Sequence, residues 1–169
     1  MMVRDVMTRH VVCCRLGDSL ADAAKVMWER DCGVAPVVDA DDVVVGIFTD
    51  RDLCMAAWSK GLPLHALRVG DVASKPVAVI GPDDSIGLAE ARMRAHQLRR
   101  LPVVFASGKI AGILSLNDLV QRLHRVPVSA HDGLSSESIA LTLAFISRAR
   151  TAEPVALAPS SERRARAVS

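Results

Sequence analysis

Gly46-Ile47-Phe48-Thr49-Asp50-Arg51-Asp52-Leu53 and Gly112-Ile113-Leu114-Ser115-Leu116-Asn117-Asp118-Leu119 are one phrase written twice, 66 residues apart (112 − 46). The same offset separates Asp5-Val6 from Asp71-Val72, Asp18-Ser19 from Asp84-Ser85, and Pro36-Val37-Val38 from Pro102-Val103-Val104. From Val3 to Leu53 the overlay needs no gap, and Val11/Val77, Ala23/Ala89, Met27/Met93 and Ala40/Ala106 coincide as well. A register kept over so many positions is the signature of duplication, so the chain carries two copies of one unit.

Working outward from the phrase, each copy changes its hydrophobic period in the same order. Val11-Val12-Cys13-Cys14 is a short apolar run suited to a strand, and Asp18 or Ser19 offers a helix cap. Leu20, Ala23, Ala24, Met27 and Trp28 follow a helical stripe that Gly33 can stop. Val34–Val38 and Val43–Phe48 are β-branched runs on either side of Asp39-Ala40-Asp41-Asp42, the chemistry of a hairpin turn. Thr49 then caps a helix through about Trp58. The second copy repeats this at Val77–Ile80, Ser85–Gln97, Leu101–Phe105, Ile110–Leu114 and Leu116–His124. The expected fold is therefore α/β: two strand-helix-strand-strand-helix units packed as a pseudo-twofold pair, because one unit this small cannot cover both faces of its own sheet. The division follows as repeat 1 over 1–60, a linker over 61–68, repeat 2 over 69–125, a helical extension over 126–150 and a disordered tail over 151–169.

The 169 residues, 50% hydrophobic and 24% charged, describe a globular chain. No apolar run approaches the roughly 20 residues of a bilayer span, and the mixed charges of Met1–His10 do not form a secretory leader. A cytoplasmic protein without membrane contact is expected. A net charge of +2 and only five aromatic residues give nucleic acid little to bind or to stack on. Cys13, Cys14, Cys32 and Cys54 have no metal or disulfide spacing and read as small hydrophobes. The five histidines suggest no metal site, and no local catalytic motif is present, so neither metal nor enzyme is expected.

The chemistry lies in the Gly-x-x-Thr/Ser-x-x-Asp core of the repeated phrase. Glycine admits a ligand or another backbone, a hydroxyl at a helix N-terminus joins N–H groups that attract phosphate, and an acid one turn on suits a ribose diol. The bland alternative is a capping hydroxyl with a first-turn acid. The copies differ just before the Pro-Val-Val step, where the second has Arg99-Arg100-Leu101 and the first has Gly33-Val34-Ala35. Two guanidiniums near Ser115 favour a phosphate there, whereas the first copy has Thr49, amides and Arg51; a solvated helix end is the other reading of Arg99-Arg100.

These motifs, Asp5-Val6-Met7-Thr8 among them, resemble tandem cystathionine β-synthase (CBS) domains, the Bateman module, over about residues 3–124. The resemblance implies an adenosine-containing ligand, with Thr49 and Ser115 at phosphate and Asp52 and Asp118 at ribose. It places a main site at Thr8, His10 and Val12 as wall, Leu101 and Pro102 as floor, with Arg99, Arg100, Ser115, Asn117 and Asp118. A second site would use Ser74, Val77, Ala78, Val34, Ala35, Thr49, Arg51 and Asp52. The implied protein is a stand-alone regulatory module and a homodimer, with no cofactor beyond its adenine nucleotide and with an unidentified protein target. AMP, ADP, ATP, NAD and S-adenosylmethionine stay undistinguished. The alternatives are a ligand-independent dimerisation module, an accessory subunit of an enzyme or transporter, and a nucleic-acid adaptor using Arg163, Arg164 and Arg166.

Beyond the repeats, Asp132 or a serine can cap a helix over 136–150 whose Ile139, Leu143 and Ile146 form an apolar stripe beside Leu141 and Phe145. That stripe is expected to pack on the module or across a dimer, with another protein or a membrane surface as the alternative.

Overall fold

The computed structural model describes residues 1–125 and 133–148. The linking residues 126–132 and the tail expected over 151–169, with its arginines, lie outside them. The elements run β1 (Cys14–Arg15), α1 (Leu20–Glu29), β2 (Val34–Val38), β3 (Val44–Thr49), α2 (Asp50–Lys60), α3 (Ile86–His96), β4 (Arg100–Val104), β5 (Ile110–Ser115), α4 (Leu116–Arg125) and α5 (Ser136–Ile146). The fold is mixed α/β, and the described residues form sheets β1-β2-β3 and β4-β5 and five α-helices.

The two hairpins are superimposable in register. Ala35 faces Phe48 and Val37 faces Gly46 in the first, Leu101 faces Leu114 and Val103 faces Gly112 in the second, and each slips at the same step, Val37/Val38 and Val103/Val104. Ser19 and Ser85 cap α1 and α3 by accepting the N–H of Asp22 and Leu88. Gly33 does not stop α1: the turn is made by Asp31 at φ 49°, matched by Gln97 at φ 51°. Gly33 instead lets the Asp50 carboxylate come close, since a Cβ there would lie 2.9 Å from it.

The leading strand of each copy is shorter than its apolar run. Only Cys14 and Arg15 pair with β2, and the second copy keeps a single bridge, Ile80 with Val103, in place of a strand over Val77–Ile80. The far end of each ladder is fixed locally, where Asp18 takes the Arg15 N–H at 2.7 Å and Asp84 takes the Gly81 N–H at 2.9 Å in an acid-capped turn.

Each copy also lends its first residues to the other. Val3 is fully buried with Ile80, Ile86, Ala89 and Leu101 in the core of the second unit. Leu67 and Val69 are buried with Leu20, Ala35 and Phe48 in the core of the first. Backbone bridges carry the exchange: Thr8 and Ile113 trade N–H···O bonds of 2.9 Å each, and Ser74 and Ile47 do the same at 2.8 and 3.3 Å. Gly112 and Gly46 sit under these bridges; a Cβ on Gly112 would lie 2.6 Å from the Thr8 carbonyl oxygen, and one on Gly46 3.1 Å from the Ala73 Cβ. The glycine of the repeated phrase thus admits a backbone.

Ser135 caps α5, which packs chiefly on α3 and α4. Its covered stripe is Ile139, Thr142 and Ile146, whereas Leu143 is 45% exposed, which corrects the expected stripe. Leu141 is exposed as well, and Phe145 lies under the Arg148 guanidinium at 4.0 Å. The covered face is set by a polar contact: Arg94 donates to the fully buried Thr142 hydroxyl at 2.7 Å, and that hydroxyl donates to buried Glu90. We expect Ile139→Ala to cost about 2 kcal/mol, the low end for a buried aliphatic, and Leu143→Ala under ~0.5 kcal/mol in urea unfolding. Equal losses would mean that α5 docks by its other face.

Candidate functional site

The repeated phrase ends each hairpin at a helix N-terminus, and there the side chains form a closed circuit. The Ser115 N–H and hydroxyl both donate to Asp118 Oδ2, at 2.7 and 2.6 Å, while the Asp118 N–H donates back to the hydroxyl at 3.1 Å. Thr49 and Asp52 form the same capping box at 2.8, 2.9 and 3.4 Å. The capping reading is therefore true of both copies, and it leaves one oxygen of Asp118 to look outward. That atom, Oδ1, accepts from the Thr8 hydroxyl at 3.4 Å, a long contact easily exchanged for a better donor.

Thr8 and Asp118 border a cleft of ≈ 460 Å³ between the copies. Its walls gather Thr8, His10 and Val12 from the start of the first copy with Arg100, Ser115 and Asp118 of the second. Six of the ten residues assigned to the main site thus meet in one place. Asn117 is exposed around the corner of α4, and Arg99 is exposed, its carbonyl accepting the Leu116 N–H at 2.9 Å. Leu101 is fully buried in the second core and Pro102 is paired with Ile113. Strand alternation explains the split, since Arg100 and Leu101 point to opposite sides of β4.

Val34, assigned to the second site, lines this same cleft, as the positional equivalent of Arg100 (100 − 34 = 66). Of the other second-site residues, Ala35 is buried in the first core, Thr49 and Asp52 hold each other, and Ser74 is tied to Ile47 by backbone bonds. Arg51 is exposed at the start of α2, and Val77 and Ala78 are half-buried before the Ile80 bridge. The cleft also takes in Val11, Arg30, Asp31, Cys32, Gly33 and Ile113, none of which was assigned to either site. Arg30 to Gly33 enter it through the turn after α1, where Asp31 takes a left-handed φ of 49°.

Burial pushes the Cys14 thiol up to about 11, with the Asp18 charge adding to the effect. Cys13 is raised too, first by burial and then by Asp42, against Arg15. Both stay protonated at neutral pH and act as hydrophobes. All four cysteines are free, and among the described residues no cluster of three or more His, Cys, Asp or Glu could hold a metal ion. Among these residues no helix is long and apolar enough to cross a membrane.

Comparison with known proteins agrees with the duplication. The CBS domain model matches residues 3–59 and 69–128. Hypoxic response protein 1 of Mycobacterium tuberculosis is 31% identical over 120 residues, 71% of this chain and 83% of that protein. A crystal structure of Hypoxic Response Protein I with two coordinated zinc ions superimposes with a TM-score of 0.67 at 29% identity, covering 75% of this chain and all of that one. CBSX2 in complex with AMP superimposes with a TM-score of 0.66 at 27% identity, covering 73% and 96%. A homoserine O-acetyltransferase of Methanococcoides burtonii is 35% identical over 117 residues, but this chain spans only 23% of its length. Two matched units, in register with the two halves of the fold, place this chain in the CBS domain family as a pair in one polypeptide.

Proposed function

We propose that this CBS pair is a regulatory module that binds an adenosine-containing ligand in the Thr8–Asp118 cleft and relays occupancy through the packing of its two units. The observation that carries the reading is the meeting of Arg100, Ser115 and Asp118 with Thr8, His10 and Val12 in one cleft. Its volume falls within the roughly 300–1,000 Å³ of small-molecule sites. Half-buried Val11 and Val12 with buried Val34 offer apolar surface to a base, the Ser115 hydroxyl can turn from Asp118 to a phosphate at the α4 N-terminus, and Arg100 adds a charge. Asp118 Oδ1 is the acceptor for a ribose hydroxyl. CBSX2, of the same fold, was crystallised with AMP, which agrees with this chemistry.

The relay follows from the same atoms. A ribose hydroxyl on Oδ1 displaces the Thr8 hydroxyl, and Thr8 belongs to the segment that the first copy lends to the second core. Ligand then discriminates between two packings of that segment, which is the condition for shifting an equilibrium. No step of this kind changes a covalent bond, so the module acts as a sensor.

The reading extends to a homodimer. Trp28, 88% exposed on α1, lines a mainly apolar hollow of ≈ 470 Å³ with Ala24, Met27 and Ala57, and Trp58 is 69% exposed on α2. Tryptophans displayed to solvent on neighbouring helices are what an interface buries.

Calorimetry with adenosine and AMP on the full chain tests the site. AMP is expected to bind at least about tenfold more tightly, and Arg100→Ala to erase that gain while Arg99→Ala keeps it, because a charged hydrogen bond contributes roughly 1.5–3 kcal/mol. Equal affinities for adenosine and AMP would remove Arg100 from the site.

A further inference from the structure

The helix pairs of the two copies, α1 with α2 and α3 with α4, present equivalent faces, and only one of them is covered. In repeat 2, α5 lies beside Val120, Leu123 and His124 of α4 and sets Thr142 between Arg94 and Glu90 of α3. Sixty-six residues earlier (124 − 58, 94 − 28) these positions are Cys54, Ala57 and Trp58 on α2, and Trp28 and Ala24 on α1. The described residues lay no equivalent of α5 over them. Trp28 is 88% exposed and lines the ≈ 470 Å³ hollow with Ala24, Cys54 and Ala57, and Trp58 is 69% exposed. The substitutions follow the covering: repeat 2 carries the polar partners that α5 needs, and repeat 1 carries two tryptophans and small apolar residues.

The α5 of another copy does not fit this bare face. Thr142 is fully buried on α5 and pairs its hydroxyl with Arg94 and Glu90, whereas Trp28 and Ala24 would bury that hydroxyl without a partner. The face is instead complementary to itself. A bulky indole stands beside a hollow lined by Ala24, Cys54 and Ala57, so a two-fold axis offers the Trp28 side chain of each copy to the hollow of the other. The charges next to Trp28 obey the same symmetry: Lys25 and Glu29 on α1 are paired at 3.9 Å, and opposing α1 antiparallel to itself sets each against the opposite sign. The area is of the right order as well. Two tryptophans bring roughly 150–250 Å² each, about half of the roughly 800 Å² per partner that a stable interface buries, before the hollow and the helix flanks contribute.

We propose that two copies of the chain join by their repeat 1 helix faces, and that α5 is the chain's own occupant of the equivalent face on repeat 2, so that assembly closes at two. The inference rests on the homodimer reading and assigns its surface and its limit. A two-fold contact is used up once two copies share it, and with α5 seated repeat 2 has no bare helix-pair face to extend the assembly.

Light scattering over a dilution series of the full chain reads the assembly. The natural protein is expected at twice the chain mass, and Trp28→Glu and Trp58→Glu each to raise the dissociation constant at least about thirtyfold, the effect of an interface tryptophan. Both side chains are exposed, so these variants keep the fold. Leu141→Glu, on the outer side of α5, is the control and is expected to change nothing. Ile139→Asp with Ile146→Asp is expected to release α5, read as lost hydrogen-exchange protection over 136–146, and to let assembly pass beyond two chains. A natural protein that stays single at every concentration overturns the homodimer reading and the surface with it. A dimer indifferent to both tryptophan variants, or weakened as much by Leu141→Glu, overturns the surface and leaves the homodimer standing. Assembly that still stops at two with α5 released, or an α5 that stays protected in the double variant, overturns its role as the occupant of repeat 2.

Discussion

Asp118→Ala is expected to lower the affinity of the main cleft for AMP by about a hundredfold, while Asp52→Ala leaves that binding within about threefold. The carboxylate gives Oδ1 to ribose and uses Oδ2 to fix Ser115, so the substitution removes one charged hydrogen bond to ligand and loosens the phosphate donor as well. Two charged hydrogen bonds at roughly 1.5 kcal/mol each give that factor. Asp52 has the same partners in its own copy but no arginine equivalent to Arg100, since Val34 occupies that position. Both variants lose a capping box and are expected to be destabilised alike, by about 0.5–2 kcal/mol, so melting curves separate loss of the site from loss of the fold. If Asp52→Ala is the variant that loses AMP, the ranking of the two copies is reversed.

Gly112→Ala is expected to be the most destabilising small substitution in the chain. The new methyl group would stand 2.6 Å from the Thr8 carbonyl oxygen and 3.0 Å from the Met7 sulfur. The side chain of Met7 can turn aside. The Thr8 carbonyl cannot, because it accepts the Ile113 N–H at 2.9 Å and belongs to the segment that carries Val3 into the second core. Relief therefore means lifting that segment off β5, with a loss of about 3 kcal/mol, the upper end for overpacking. For a chain of this size the melting temperature falls by roughly 6–12 °C. Gly46→Ala is the internal control: its nearest neighbour is the Ala73 Cβ at 3.1 Å, so a shift of a few tenths of an ångström suffices and about 1 kcal/mol is expected. Equal melting temperatures for the two variants would show that the segment around Thr8 is not held as described.

Much of the architecture was legible because it is local. The caps at Ser19, Thr49 and Ser85 and the two hairpins depend on residues within a few positions of each other, and the 66-residue offset repeats every one of those choices. Where the reading missed, a non-local or competing contact was the cause. Gly33 is a helix stop by composition, yet Asp31 took the left-handed turn and Gly33 was spent on the approach of Asp50. Val77–Ile80 has strand composition, but only Ile80 pairs, by one bridge to Val103 just before the turn that Asp84 caps. Leu143 fits the stripe of α5, but Thr142 turns inward because Arg94 and Glu90 on α3 give it partners.

The candidate site divides along the same line. Duplication, a hydroxyl and an acid at each helix N-terminus and an arginine pair in one copy only are properties of residue order, and the sequence by itself determined them, because capping and turn chemistry act over three or four residues. Which residues share a cleft was decided by tertiary structure alone. Thr8 meets Asp118 across 110 positions, Val34 joins Arg100, and Arg30 and Asp31 enter from the end of α1, because each copy buries its first residues in the core of the other. Burial of Val3 and Val69 in exchanged cores fixes that geometry, and no window of sequence contains both partners.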